Sequence, residues 1–226
     1  MKARLKVNGF IIFLVVLLIV VFPGRFLRNR PLTGLDAVAK IFGIAFIILG
    51  QLFRASGRGF KSEHSLEGKA LVKEGPYALV RNPMYLGIIL IGLGIILMLF
   101  QWWASLIFLL VFISRYVVLI FEEEGRLEKG FSREFQDYRK KVPRIIPSLA
   151  TILKTDLAEY LPLKFSWLKR ESGAILAVLC IALILESWQG IRYSGSKVYF
   201  KEAIAISSIL ILFACVIGDL IKRTEG

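Results

Sequence analysis

An all-α, polytopic integral membrane protein is the fold class this chain predicts, with about six transmembrane helices, and three observations predict it. Apolar residues make up 56% of the 226 residues while charged residues still make up 21%, a mixture unlike that of a soluble domain. The apolar residues gather in long runs, several of which can cross a hydrocarbon core of roughly 30 Å. The basic residues behind the net charge of +13 fall in short clusters at the ends of those runs, where membrane flanks place them. No recognised basic motif accompanies the charge, which argues against a nucleic-acid partner.

Taken in order, Lys2, Arg4 and Lys6 precede an apolar run at residues 8 to 23. No small-x-small cleavage site follows it, so it reads as a retained first helix in an amino-terminal unit of residues 1 to 34. The run at residues 35 to 53 predicts a second helix, with Lys40 snorkelling near its start. Residues 54 to 74 carry Arg54, Arg58, Lys61, Glu63, His64, Glu67, Lys69, Lys73 and Glu74 among glycines and serines, and predict an aqueous loop. His64 has no second His or Cys ligand nearby and reads as a solvated side chain.

The segment from Gly75 to Gly87 combines Tyr77, Arg81, Asn82 and Tyr85 with two prolines and two glycines. Each proline pushes the preceding residue out of the α region, so Gly75 and Asn82 are expected to be non-helical. Asn82 reads as an N-cap and Pro83 as the first helical residue. The positive end of that helix, beside Arg81, predicts an anion-binding corner.

The apolar stretch that follows is almost twice the length of one crossing, so it predicts a tight hairpin over residues 83 to 121, with arms 83–100 and 103–121 turning at Gln101-Trp102-Trp103. The turn is uncharged and tryptophan-rich, placing it on the face opposite the basic loops. Gly87, Gly92 and Gly94 line the first arm and read as close helix packing rather than a nucleotide loop. Arg115, inside the return arm, reads either as a functional candidate, because an intramembrane arginine is expensive, or as a side chain that snorkels to the interface.

The helix is expected to continue past Glu122-Glu123-Glu124 as an amphipathic cytoplasmic stretch, with Leu127, Phe131, Phe135, Tyr138 and Val142 on one stripe. Glu123 lies four residues before Leu127 and is expected on the buried side, where a carboxylate wants a cationic partner. Pro143 and Pro147 end the helix, and residues 148 to 170 predict an interfacial stretch. Runs at 173 to 189 and 203 to 221 complete the six helices, within a carboxy-terminal unit of residues 148 to 226. Cys180 and Cys215 lie in apolar runs and read as packing residues, with no metal-ligand spacing. The distribution of Lys and Arg places both termini, and the loops after residues 54 and 121, in the cytoplasm; Arg25, Arg28 and Arg30 then fall outside, which leaves open a re-entrant or shallow first helix.

The inventory is thus a helix start at Asn82, a guanidinium at Arg81, Tyr77 and Tyr85, and an inward Glu123. Those groups suit a zwitterionic or cationic ligand, a description that S-adenosylmethionine meets. The ordered pattern Leu71-Val72-x-x-Gly75-Pro76-Tyr77, Arg81-Asn82-Pro83-Met84-Tyr85-Leu86-Gly87, Glu123-Glu124-x-x-Leu127-x-x-x-Phe131, then Tyr138, Val142 and Pro147, resembles the isoprenylcysteine carboxyl methyltransferase and phospholipid methyltransferase family. The resemblance covers roughly residues 40 to 147, inside a core unit of residues 35 to 147. It implies a membrane enzyme that takes its methyl group from S-adenosylmethionine, leaves S-adenosylhomocysteine, and acts on a lipophilic or lipid-modified substrate among membrane lipids.

By that resemblance Lys69, Ala70, Leu71, Val72, Tyr77, Asn82, Pro83, Met84, Tyr85 and Glu123 line the cofactor pocket at the cytoplasmic face. Arg81, Tyr85, Glu124 and Arg115 are the candidate catalytic residues, with Glu124 or Tyr85 taking a proton if the nucleophile is an amine. A carboxylate nucleophile would need chiefly alignment and exclusion of water. Three departures stand out. Asn82 replaces a histidine common in the family, Phe131-Ser132 stands where Phe-Gly is frequent, and Leu119 occupies the place of an arginine that binds substrate in eukaryotic prenylcysteine enzymes, which shifts weight from a carboxylate to an amine or other lipid nucleophile. Two other readings stay open: a nicotinamide-dependent membrane reductase of the steroid-reductase type, which shares an Arg-x-Pro-x-Tyr element, and a non-catalytic membrane scaffold.

Overall fold

The computed structural model describes residues 23–27, 34–65, 70–148 and 160–171, together with positions 204, 208, 211, 215, 222 and 223. The predicted helix at 8–23 except Pro23, that at 173–189, most of that at 203–221, and Cys180 and Lys69 lie outside the described residues. Among the described residues the protein is helical, without a strand, as the sequence predicts. A short α1 (Pro23–Phe26) is followed by α2 (Gly34–His64), a single turn α3 (Pro76–Leu79), α4 (Pro83–Leu99) and α5 (Trp102–Lys141). The stretches Val38–His64 and Trp102–Lys141 are long and apolar enough to cross a bilayer, and α4 is a shorter apolar helix. Leu106, Ile107, Leu110, Val111 and Val118 turn an exposed apolar face outward from α5, the surface expected of a helix against lipid. Cys215 is exposed rather than packed.

The core forms where α2 and α4 run against each other, with Ile44, Ile47, Ile48, Ile96, Met98 and Leu99 buried between them. Close approach is possible because glycines face each other in register. A Cβ on Gly50 would stand 2.5 Å from the carbonyl oxygen of Gly87, and one on Gly43 2.8 Å from that of Gly94. Gly43, Gly50 and Gly57 are seven residues apart, as are Gly87 and Gly94, so the contact repeats every two turns. A Cβ on the third glycine of the series, Gly57, would stand 3.2 Å from Pro83 and Met84.

That series corrects the expected loop: residues 54 to 64 are the last turns of α2. Their charges do not break the helix because they have tertiary partners, Arg54 and Arg58 on Glu171 and Lys61 on Glu123. His64 is exposed, as expected of a solvated side chain, with its ring stacked on Phe60.

At the uncharged end of the hairpin, Gln101 satisfies the turn. Its backbone N–H donates to Phe26 O at 3.0 Å, its side-chain amide donates to Leu27 O at 3.1 Å, and its Oε1 accepts from Trp103 Nε1 at 3.2 Å. Phe26, Phe100, Trp103 and Phe108 cluster around it. The helix past the hairpin is kinked at Ser132, where φ is 24°. This backbone region is costly for a residue with a Cβ.

Candidate functional site

At the charged end of the hairpin the 75–87 segment is held from three sides. Gly75 adopts φ 56°, and a Cβ there would press into the Phe60 ring of α2 at 2.8 Å, so both backbone and space call for glycine. Tyr77 is buried. Its hydroxyl donates to Gly57 O at 3.3 Å, and its own carbonyl accepts from Tyr138 Oη at 2.7 Å. Burial, with Tyr138, Glu123 and Tyr85 adding to it, pushes the Tyr77 phenol well above the ordinary tyrosine range, so it remains a donor. Arg81 N–H donates to Pro143 O at 2.9 Å.

Asn82 precedes α4 as predicted, yet its side chain makes no cap. Its amide instead donates to Glu124 Oε1 at 2.9 Å and to Arg144 O at 3.3 Å. Glu124 Oε2 accepts from Arg144 Nε at 3.1 Å and from Arg81 at 3.4 Å. Arg144 also lies over the Phe121 ring at 4.2 Å. Glu124 is only 5% exposed, a buried charge that its three partners make tolerable. Burial lowers the Arg81 guanidinium from its ordinary value and Glu124 opposes the shift; it stays charged. The anion of the predicted corner is therefore the chain's own carboxylate.

Glu123 faces a different setting. It was expected on the buried stripe, but its side chain is 24% exposed, with Lys61 Nζ at 3.5 Å and Arg126 as its partners. Tyr85 and Tyr77 lie close enough to Glu123 to feel its charge. Tyr85 and Tyr116 are ring neighbours at 6.1 Å. Pro83 and Met84 back onto Gly57 of α2. The structure thus brings together Tyr77, Pro83, Met84, Tyr85 and Glu123 in one region, with Arg81, Asn82 and Glu124 beside it.

Ala70 hydrogen-bonds Ser65 through its backbone, and Leu71 and Val72 are half-buried. Lys73, just beyond, pairs with Glu134 of α5 at 2.7 Å. Arg115 is half-buried on α5, eight residues before Glu123.

Sequence reasoning missed Lys61, Gly57, Tyr138 and Arg144 as members of this region. Lys61 and Gly57 were hidden by reading 54 to 64 as a loop, although the seven-residue glycine spacing runs into that stretch. Chemically, the region offers the partly exposed carboxylate of Glu123, with the ammonium of Lys61 beside it, and aromatic faces. Arg81 Nε adds a buried donor without an acceptor among the described residues.

Residues 38–134 match the Phospholipid methyltransferase family model. The chain is 34% identical over 119 residues to a protein-S-isoprenylcysteine O-methyltransferase of Schizosaccharomyces pombe, covering 49% of this chain and 50% of that protein. It is 31% identical over 114 residues to protein-S-isoprenylcysteine O-methyltransferase B of Arabidopsis thaliana, covering 47% of this chain and 58% of that one. The chain thus spans about half the length of the curated relatives it matches. No solved structure matches it. The family resemblance read from the 71–87 and 123–131 motifs is borne out over the matched stretch.

Proposed function

We propose that the protein is a membrane-embedded methyltransferase that uses S-adenosylmethionine and acts on a lipophilic substrate from the cytoplasmic side of the bilayer. The observation that carries this reading is the meeting of Tyr77, Tyr85 and Glu123 with Lys61 at the charged end of the helical hairpin. That stretch lies within the match to a methyltransferase family and to proteins named as O-methyltransferases.

The donor set fits the cofactor. An aminoacyl group carries one ammonium and one carboxylate, and the region supplies Glu123 for the first and Lys61 for the second. Arg81 Nε–H, without an acceptor among the described residues, is a further buried donor. When bound, S-adenosylmethionine supplies a methyl group on a sulfonium that a nucleophile can displace in line. Tyr85 and Tyr116 present aromatic faces, which favour a cation. Glu123 serves as the acceptor that orients the cofactor, because its carboxylate is not fully enclosed. Glu124, whose oxygens are occupied by Asn82, Arg81 and Arg144, serves as a brace rather than a proton acceptor. Tyr85, a phenol beside the negative charge of Glu123, keeps its own proton, so neither of the two is free to take one from an amine nucleophile. A carboxylate nucleophile, as in a prenylcysteine, needs none and relies on alignment; the names of the relatives favour it.

Calorimetric titration of the detergent-solubilised protein tests the reading. S-adenosylhomocysteine is expected to bind and a reduced nicotinamide dinucleotide is not. Uptake of the dinucleotide alone would replace the proposal with a reductase, and uptake of neither would favour a scaffold.

A further inference from the structure

Residues 160–171 lie beyond the stretch that matches the family, yet they are built into the wall of the candidate site. Leu161 is buried in one cluster with Phe53 of α2 and with Leu79, Val80 and Leu86 of the 75–87 region. Leu163 packs on Leu52 and Ala55. Ser56 donates to Pro162 O at 2.7 Å. The Trp167 ring lies against Gly59, where a side chain would collide with it, and its Nε1 donates to Glu63 at 2.7 Å. Lys164 meets the other oxygen of Glu63 at 2.6 Å. At the end of the stretch Glu171, 5% exposed, pairs with Arg58 at 2.6 Å and Arg54 at 3.3 Å.

The final turns of α2 therefore have two faces. Gly57 and Lys61 turn to Tyr77, Met84 and Glu123. Ser56, Arg58, Gly59 and Glu63 turn to residues 160–171. We infer that residues 160–171 form a strap that clamps the last turns of α2 against the 75–87 segment, and that Glu171 is a positioning residue for the ligand region lined by Lys61 and Glu123. A buried carboxylate in a two-arginine clamp is an expensive device for stability alone. Here its two partners, one turn apart, set the rotation of the helix that carries Lys61. The inference rests on the methyltransferase reading for the choice of ligand probe only.

The test uses the full-length protein in detergent and Glu171→Gln, with Arg54 and Arg58 exposed enough to be rehydrated. Two quantities are read, amide exchange over residues 54–64 and the affinity for S-adenosylhomocysteine. Faster exchange and about fivefold weaker binding are expected, the scale of ordinary coupling between sites, with Glu171→Asp restoring part of both. Unchanged exchange overturns the strap, and unchanged affinity overturns the positioning role. If the wild type takes up no S-adenosylhomocysteine, the methyltransferase reading fails while exchange still decides the strap. Should Glu171→Gln not fold, Trp167→Phe keeps an aromatic ring beside Gly59, removes the donor to Glu63 and part of the indole, and is held to the same two outcomes.

Discussion

Glu123 and Glu124 are neighbours on one helix and live in opposite surroundings. Glu124 is enclosed by Asn82, Arg81 and Arg144, which join the 80–82 turn and the chain after α5 to the helix. Glu123 is partly open, beside the single ammonium of Lys61 and an exposed Arg126. A step of one residue turns a helix by about 100°, enough to convert a brace into a group that can meet a ligand. On the proposed function, two adjacent carboxylates divide the work: one holds the site together, and the other is left for the cofactor.

The comparison is broken most directly at Glu124. Glu124→Gln leaves the buried Arg81 without its counter-charge, and removing one partner of such a pair costs about 3 to 5 kcal/mol. A large loss of thermal stability is expected in detergent, and a near-normal melting temperature would show that the cluster is not a brace. Next in size, Lys61→Met is expected to weaken S-adenosylhomocysteine binding about tenfold, the worth of one hydrogen bond to a charged group. Its half-exposed pair with Glu123 contributes little to stability, so calorimetric affinity should fall without a matching fall in melting temperature. Tyr77→Phe removes the hydroxyl that reaches Gly57 O and is expected to cost about 1 kcal/mol, read by thermal unfolding. Smallest, Ser132→Gly relieves the positive φ at the kink and is expected to stabilise the protein by a few tenths to about 1 kcal/mol. A destabilised Ser132→Gly variant would contradict the strain assigned to that residue.

The hairpin, its uncharged turn and the 75–87 motif were legible in the sequence because long apolar runs, prolines and an ordered motif mark them. The phase of α5 was not. A stripe at steps of four residues drifts by about 40° per step, and the kink at Ser132 resets it. Before the kink the helix buries Ile120 and Glu124; after it, Phe135 and Tyr138. Extending the later stripe backwards therefore lands on Glu123, one residue away from the buried carboxylate. The end of α2 was missed for another reason, since charge and glycine read as loop until the partners of Arg54, Arg58 and Lys61 are known. Those partners lie far away in sequence, on Glu171 and Glu123. The one local clue was the seven-residue glycine spacing that carries Gly43 and Gly50 on to Gly57.

The central claim is that Glu123, and not Glu124, is the carboxylate presented to the cofactor. The measurement that tests it most directly is the affinity of Glu123→Gln for S-adenosylhomocysteine, set beside its melting temperature. The account predicts binding about tenfold weaker than wild type at a nearly unchanged melting temperature. Wild-type affinity in that variant would contradict it.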